Sequence, residues 1–153
     1  MKAVIVGVSA SFAVASAALA GATPVGTVHD FIDAFDKGDV AAAAATHATD
    51  AVIIDEMAPH AWTAPGAFQA WAGALMADAK ASGQSGNKVT LGEVIRDQEE
   101  GDTAYVTMAA TYSYDQKGAA MREGARMVFA LKKTDGDWKI TAWAWAGDPP
   151  KAK

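Results

Sequence analysis

The stretch AFDKGDVAAAAATHATDAVIID, residues 34–55, contains the end of one helix, a complete second helix and a strand that stops on a carboxylate. Just upstream, Val28, Phe31, Ile32 and Phe35 recur at i, i+3, i+4 and i+7, which is one face of a helix, and Gly38 stops it. Asp39 can then N-cap a short helix from Val40 to about His47, whose alanines give high propensity and a slim body for close packing. Thr49 and Asp50 lead into a strand over Ala51 to Glu56, where Val52, Ile53 and Ile54 form the strongest apolar strand signal beyond the N-terminus. Asp55 breaks that pattern. A carboxylate entering an apolar pocket resists ionisation and becomes a proton carrier near neutral pH.

Downstream, a short extended piece around His60 to Thr63 precedes a third helix, opened by Thr63, Ala64 and Pro65 with proline in the first turn. Phe68, Trp71, Ala72, Leu75 and Ala79 supply its buried stripe, and the cluster Ser82 to Asn87 reads as a loop. From Lys88 the period changes from helical to alternating. Val89, Leu91, Glu93 and Ile95 mark one strand, ending in the polar turn from Asp97 to Asp102. Met108, Ala110, Tyr112 and Tyr114 share a face of the next, from Thr103 to Tyr114. Glu123, Ala125, Met127, Phe129 and Leu131 share a face of the third. Thr134, Asp135 and Gly136 make a tight hairpin into a last strand, Trp138 to Trp145. The expected class is α+β: a cone-shaped fold with three N-terminal helices packed on a curved, mostly antiparallel sheet. A cavity between helices and concave sheet is the natural ligand site.

The composition narrows the function classes. A chain of 153 residues with 51% hydrophobic and 20% charged residues is one ordinary globular domain. Its net charge of -5 comes without a basic stripe, which argues against nucleic acid as a partner. Without cysteine there is no disulfide, thiolate zinc site, cysteine nucleophile or lipobox. His29 and His47 have no carboxylate partner at metal-ligand spacing, so neither a metal nor another cofactor is expected.

Residues Ala3 to Ala22 are uncharged, follow Lys2 and include Ala18-Leu19-Ala20, an A-x-A cleavage pattern before Gly21. This reads as a signal peptide over residues 1–20, with a periplasmic or secreted destination and no stable membrane insertion after cleavage. The alternative is a retained anchor, which the preponderance of Ala, Ser and Gly disfavours. A short lead (21–26), the domain (27–147) and a tail (148–153) follow.

The order of elements, together with AFDKGDVAAAAATHATDAVIID, WTAPGAFQAW (62–71) and DGDWKITAWAWAG (135–147), resembles the nuclear-transport-factor-like superfamily. Within it the chain is most similar to SnoaL-like and ketosteroid-isomerase-like small proteins. The resemblance covers about Thr27 to Gly147 and identifies the fold better than the activity, because this superfamily hosts isomerases, dehydratases, cyclases and oligomerisation domains. Counting without a gap from Gly38 and Asp39, it puts Asp55 where ketosteroid isomerases keep their general base. By the same count Phe31 takes the place of the oxyanion-hole tyrosine, and Met127 that of the protonated aspartic partner. Both departures remove a hydrogen-bond donor, and one such donor is worth about two to three orders of magnitude in rate. Steroid isomerisation is therefore not expected.

The candidate catalytic residues are Asp55 as base, His60 as its dyad partner and Tyr112 as a substitute oxyanion donor. The candidate ligand-binding set is Phe31, Trp62, Phe68, Met108, Tyr112, Tyr114, Glu123, Met127, Trp143 and Trp145, aromatic and apolar groups suited to a flat or apolar small molecule. Trp62 and Trp71 bracket the start of the third helix and are most simply core, and core packing is also the stronger reading for Trp138 and Ile140. Arg126, opposite in parity to Glu123, belongs to the convex surface, where such folds dimerise. Three functions compete: a small-molecule binding module, a lyase or isomerase using Asp55, and a homodimerising domain.

Overall fold

In the computed structural model, which describes residues 21–153, the helices come first and the sheet follows. The leader read at residues 1–20 lies outside the described residues. Helix α1 (Pro24–Asp36) begins where the Thr23 hydroxyl accepts the Gly26 N–H at 3.0 Å, with Pro24 in the first turn, where no N–H is required. Its apolar stripe of Val28, Phe31 and Ile32 is buried, as the spacing predicts. In α2 (Val40–Ala45) the Asp39 carboxylate accepts the Ala42 N–H at 2.9 Å.

The alanine run predicts that α2 continues to about His47, and it stops earlier for a tertiary reason. Its last carbonyls are claimed from outside: Lys139 Nζ donates to Ala45 O at 2.7 Å, and the Ile140 N–H donates to Thr46 O at 2.9 Å. His47 therefore opens strand β1 (His47–Ile54), which pairs with the two-residue β2 (Ala61–Trp62). Helix α3 (Ala67–Ser82) starts after Gly66, not at Pro65. Gly66 has φ of 82°, and its N–H donates to Thr49 O at 3.2 Å, pinning the turn to β1.

The sheet continues through β3 (Gln84–Glu100), β4 (Thr103–Gln116), β5 (Ala119–Thr134), β6 (Asp137–Gly147) and β7 (Lys151–Ala152). Two expected irregular segments are strands: Gln84 and Ser85 pair with Gln116 and Asp115, and the tail returns to pair with Met121 and Arg122. The order is β2-β1-β6-β5-β4-β3, with β1 parallel to β6 and the remaining pairs antiparallel.

Two register shifts decide which side chains face the helices. Across β5 and β6, Ala130 pairs with Ala142 and Leu131 with Ile140, leaving Thr141 as an extra residue. The inward face thus switches from Trp138 and Ile140 to Trp143 and Trp145, and all four indole and aliphatic groups serve one side. In β3, Leu91 pairs with Ala110 and Val94 with Met108, so Gly92 and Glu93 oppose the single Ala109. Strict alternation puts Glu93 and Ile95 beside Val89; after this bulge both are exposed, and only Val89 and Leu91 stay inward.

One core fills the space between the layers. Phe31, Met108, Phe129, Trp138 and Ile140 are fully buried within it, each contributing about 1.5–3 kcal/mol of transfer free energy.

Candidate functional site

The helices do not fill the concave side completely. A cavity of about 570 Å³ remains, walled by α1, the β1 end and the turn after it, α3, and strands β3 to β6. Aromatic rings dominate it: Phe31 and Phe35 from α1, Trp71 from α3, Tyr112 and Tyr114 from β4, Trp143 and Trp145 from β6. The rings brace one another. Trp71 meets Trp143 edge to face at 4.8 Å, and Tyr112 lies 5.0 Å from Tyr114 and 6.2 Å from Trp145.

Asp55 lies on this wall because β1 ends at Ile54 and the chain turns sharply behind it. Its N–H donates to His60 O at 3.2 Å, its Oδ1 accepts the Met57 N–H at 2.8 Å, and its Oδ2 accepts the Trp71 indole N–H at 3.0 Å. The two side-chain bonds orient the carboxylate. The expected Asp55–His60 dyad does not form: His60 has φ of 73°, is exposed, and meets Asp55 through its backbone carbonyl.

Glu123 is the second carboxyl of the wall and the most perturbed acid there. It is 3% exposed, and its Oε1 accepts the Trp145 indole N–H at 2.6 Å. Burial pushes its pKa up to about 7; the Trp145 hydrogen bond works against the rise, and the adjacent Glu56 carboxylate adds to it. The inward seat of this carboxyl depends on Gly147, where any Cβ would collide with the Glu123 side chain. The Tyr112 hydroxyl points to Gln84 Oε1 at 3.5 Å, and its pKa is raised by burial and by the neighbouring Tyr114 and acids.

His47 closes the floor behind the cavity. Its ring packs 4.4 Å from Phe68 and 4.7 Å from Phe31. Nε2 accepts the Trp143 indole N–H at 3.0 Å, so Nδ1 carries the hydrogen and donates to Ala43 O at 2.9 Å. Burial lowers its pKa to about 4, against the backbone hydrogen bond, which favours the cation. It is a neutral structural histidine at neutral pH.

Of the residues singled out in the sequence, the structure brings Phe31, Asp55, Tyr112, Tyr114, Glu123, Met127, Trp143 and Trp145 onto one wall. Trp62, Phe68 and Met108 belong to the core and do not line the cavity: Met108 is fully buried, and Phe68 turns toward His47 and Trp71. Sequence reasoning missed Phe35, Glu56, Leu75, Asp78 and Gln84 as wall residues, and it read Trp71 as core. Phe35, Trp71 and Leu75 did stand in helical stripes, but periodicity cannot tell a face that meets a core from one that meets a cavity. Among the described residues no cluster of potential ligands could hold a metal ion.

No curated protein matches the chain. Among solved structures, a hexachlorocyclohexane dehydrochlorinase from Novosphingobium barchaimii is similar with a TM-score of 0.71 and 12% identity, over 83% of this chain and 85% of that one. A ketosteroid isomerase-like protein from Erwinia carotovora has a TM-score of 0.63 at 18% identity, covering 86% and 97%. A protein with a cystatin-like fold from Nostoc punctiforme has a TM-score of 0.60 at 21%, covering 82% and 88%. At these identities the likeness is one of fold. The SnoaL-like domain profile matches residues 26–144, so this chain belongs to the SnoaL-like domain family, within the nuclear-transport-factor-like superfamily that its sequence resembles.

Proposed function

We propose that the chain binds an apolar or aromatic small organic molecule between its helices and the concave sheet. One observation carries this reading: the cavity of about 570 Å³ is walled by braced aromatic rings. Pockets for small molecules commonly measure roughly 300–1,000 Å³, mostly apolar with a few fixed polar groups. The test is a titration with the neutral solvatochromic dye Nile red, beside a Leu75→Trp variant in which α3 projects an indole into the space. A blue-shifted emission that weakens at least tenfold in affinity in the variant is expected. No shift, or an unchanged titration in Leu75→Trp, would refute the reading.

A second reading, proton abstraction by Asp55, is favoured by the position of its oriented carboxylate on the wall. It is checked with 2-tetralone in deuterated buffer. Exchange of the protons next to the carbonyl above the buffer rate, lost roughly a hundredfold in Asp55→Asn, is the expected signature of a general base. Exchange at the buffer rate removes Asp55 from this role.

Export and homodimerisation belong to the same proposal. Residues 1–20 have the leader pattern, and the chain recovered after export is expected to begin at Gly21 by N-terminal sequencing. Exposed Tyr105 and Arg126 on the outer sheet face suit pairing of two copies. Sedimentation at micromolar concentration checks this, with a monomer counting against it.

A further inference from the structure

The hydrogen-bonding groups of the cavity are unbalanced. Three indoles line it, and the N–H of each is already spent inside the protein: Trp71 on Asp55, Trp143 on His47, Trp145 on Glu123. The hydroxyl of Tyr112 is directed at Gln84. The acceptors are more numerous, for Asp55, Glu56, Asp78 and Glu123 bring four carboxyl groups from the end of β1, its turn, α3 and β5. Among the described residues no lysine, arginine or histidine lines the cavity, and the cations Arg122 and Arg126 that flank Glu123 along β5 are exposed. The donors that remain, the Tyr114 hydroxyl and the Gln84 amide, are outnumbered, so the cavity favours a ligand that brings donors of its own.

The place where they would be received is also defined. Glu123 is 3% exposed, is reached by no cation of the wall, and stands opposite Tyr112 in the β4–β5 register. Tyr112, Tyr114 and Trp145 form a ring-lined recess around it. A buried carboxyl surrounded by aromatic faces is the arrangement that suits an ammonium group, because the faces attract a cation and the carboxylate completes a charge-assisted hydrogen bond.

Resting on the cavity reading above, we infer that the ligand is a protonated amine carried on an aromatic or apolar body, with Glu123 as its counter-ion. The body lies against Trp71 and Trp143, and the ammonium enters the recess of Tyr112, Tyr114 and Trp145. The carboxylates of Asp55, Glu56 and Asp78 add to the field that favours a cation and exclude anionic analogues of the same shape.

The experiment compares three probes of one skeleton by calorimetry at pH 8: 2-naphthylmethylamine, 2-naphthylmethanol and 2-naphthoate. The amine is expected to bind at least tenfold tighter than the alcohol, with the carboxylate weakest. Glu123→Gln should lower the affinity of the amine at least tenfold more than that of the alcohol. If the alcohol or carboxylate binds as tightly as the amine, the amine inference is overturned while the cavity reading stands. If none of the three binds and Nile red also fails, the cavity reading itself is overturned. The wild-type ratio of amine to alcohol decides the inference even if Glu123→Gln does not fold, and Tyr114→Leu, which removes one ring of the recess, should reduce that ratio as well.

Discussion

Replacing Glu123 by Gln should make this protein more stable at alkaline pH and leave it almost unchanged at acid pH. The Glu123 carboxyl has a pKa of about 7 in the folded chain against an ordinary value of 4.5. A raised carboxyl pKa means that the folded state holds the proton more tightly than the unfolded one, so its stabilising effect is full below pH 4.5 and is lost as pH rises through 7. At about 1.4 kcal/mol per pH unit the gap is worth about 3 kcal/mol; screening of the exposed Glu56 charge brings the expectation to about 1–3 kcal/mol. His47 acts with the opposite sign. Its pKa of about 4 lies below the ordinary 6.5, so its contribution is full above pH 6.5 and is lost as pH falls through 4. Between pH 4.5 and 6.5 the two slopes offset each other, and the wild-type stability should be nearly flat there. Gln keeps the size of the side chain and an acceptor for Trp145 but cannot ionise, so the variant should show only the His47 slope in that window. Urea unfolding followed by tryptophan fluorescence at pH 4.5, 6 and 8 measures this. A variant that is less stable at pH 8 than the wild type, or displaced equally at all three values, would refute the assignment of a buried protonated Glu123.

The other predictions address its neighbours. Trp143→Phe leaves the acceptor of buried His47 without its donor and should cost about 1–3 kcal/mol in urea unfolding, with a loss below about 0.5 kcal/mol counting against that bond. Gly147→Ala places a methyl on the Glu123 carboxyl and should cost about 1–3 kcal/mol, less in a Glu123→Ala background, where equal costs would show that the two do not touch. Affinity for 2-naphthylmethylamine should rise as pH increases from 6 to 8, because Glu123, which faces Asp55, Glu56, Asp78, Tyr112 and Tyr114 in the cavity, gains its charge there; calorimetry showing a flat profile would remove Glu123 as counter-ion.

Much of the architecture was legible because it rests on local rules. The α1 stripe, the Asp39 cap and the inward face of β4 follow directly from spacing. The errors share a cause: each arises where a distant strand overrides a local preference. The alanines of α2 favour a longer helix, but Lys139 and Ile140 take its last carbonyls. Gln84 and Ser85 sit in a stretch rich in loop formers, yet β4 extends far enough to pair with them. The bulge at Thr141 cannot be read from alternation, although Trp138, Ile140, Trp143 and Trp145 change parity across it in full view. For the site, Asp55 was found from the interruption of its strand. Glu123 was found only as a wall residue, since its raised pKa comes from burial, with Glu56 adding to it against the Trp145 hydrogen bond, in a seat left open by the missing side chain at Gly147, and the fold alone brings these together.

The donor shortage also bears on what chemistry the cavity can support. A base at Asp55 that removes a proton next to a carbonyl needs a hydrogen-bond donor for the oxygen that becomes negative. Phe31 and Met127 supply none, the indole N–H groups of Trp71, Trp143 and Trp145 are committed elsewhere, and the Tyr112 hydroxyl is directed at Gln84, which leaves the Tyr114 hydroxyl, beside the Glu123 carboxyl, and the Gln84 amide. Protonated Glu123 is an acid that could donate at neutral pH, but its immediate charged neighbour is Glu56, so an oxyanion placed beside it would face a like charge. An ammonium on the ligand changes this balance, because it neutralises the carboxylates that would otherwise repel a developing negative charge. Proton transfer by Asp55 is therefore better supported on an amino ketone, whose ammonium offsets the acidic wall, than on a neutral ketone. It follows that an amino-substituted 2-tetralone, which carries both groups, should exchange its carbonyl-adjacent protons faster than 2-tetralone by at least the factor that separates their affinities. Equal rates at saturation and equal affinities would show that the acidic wall has no part in either binding or proton transfer.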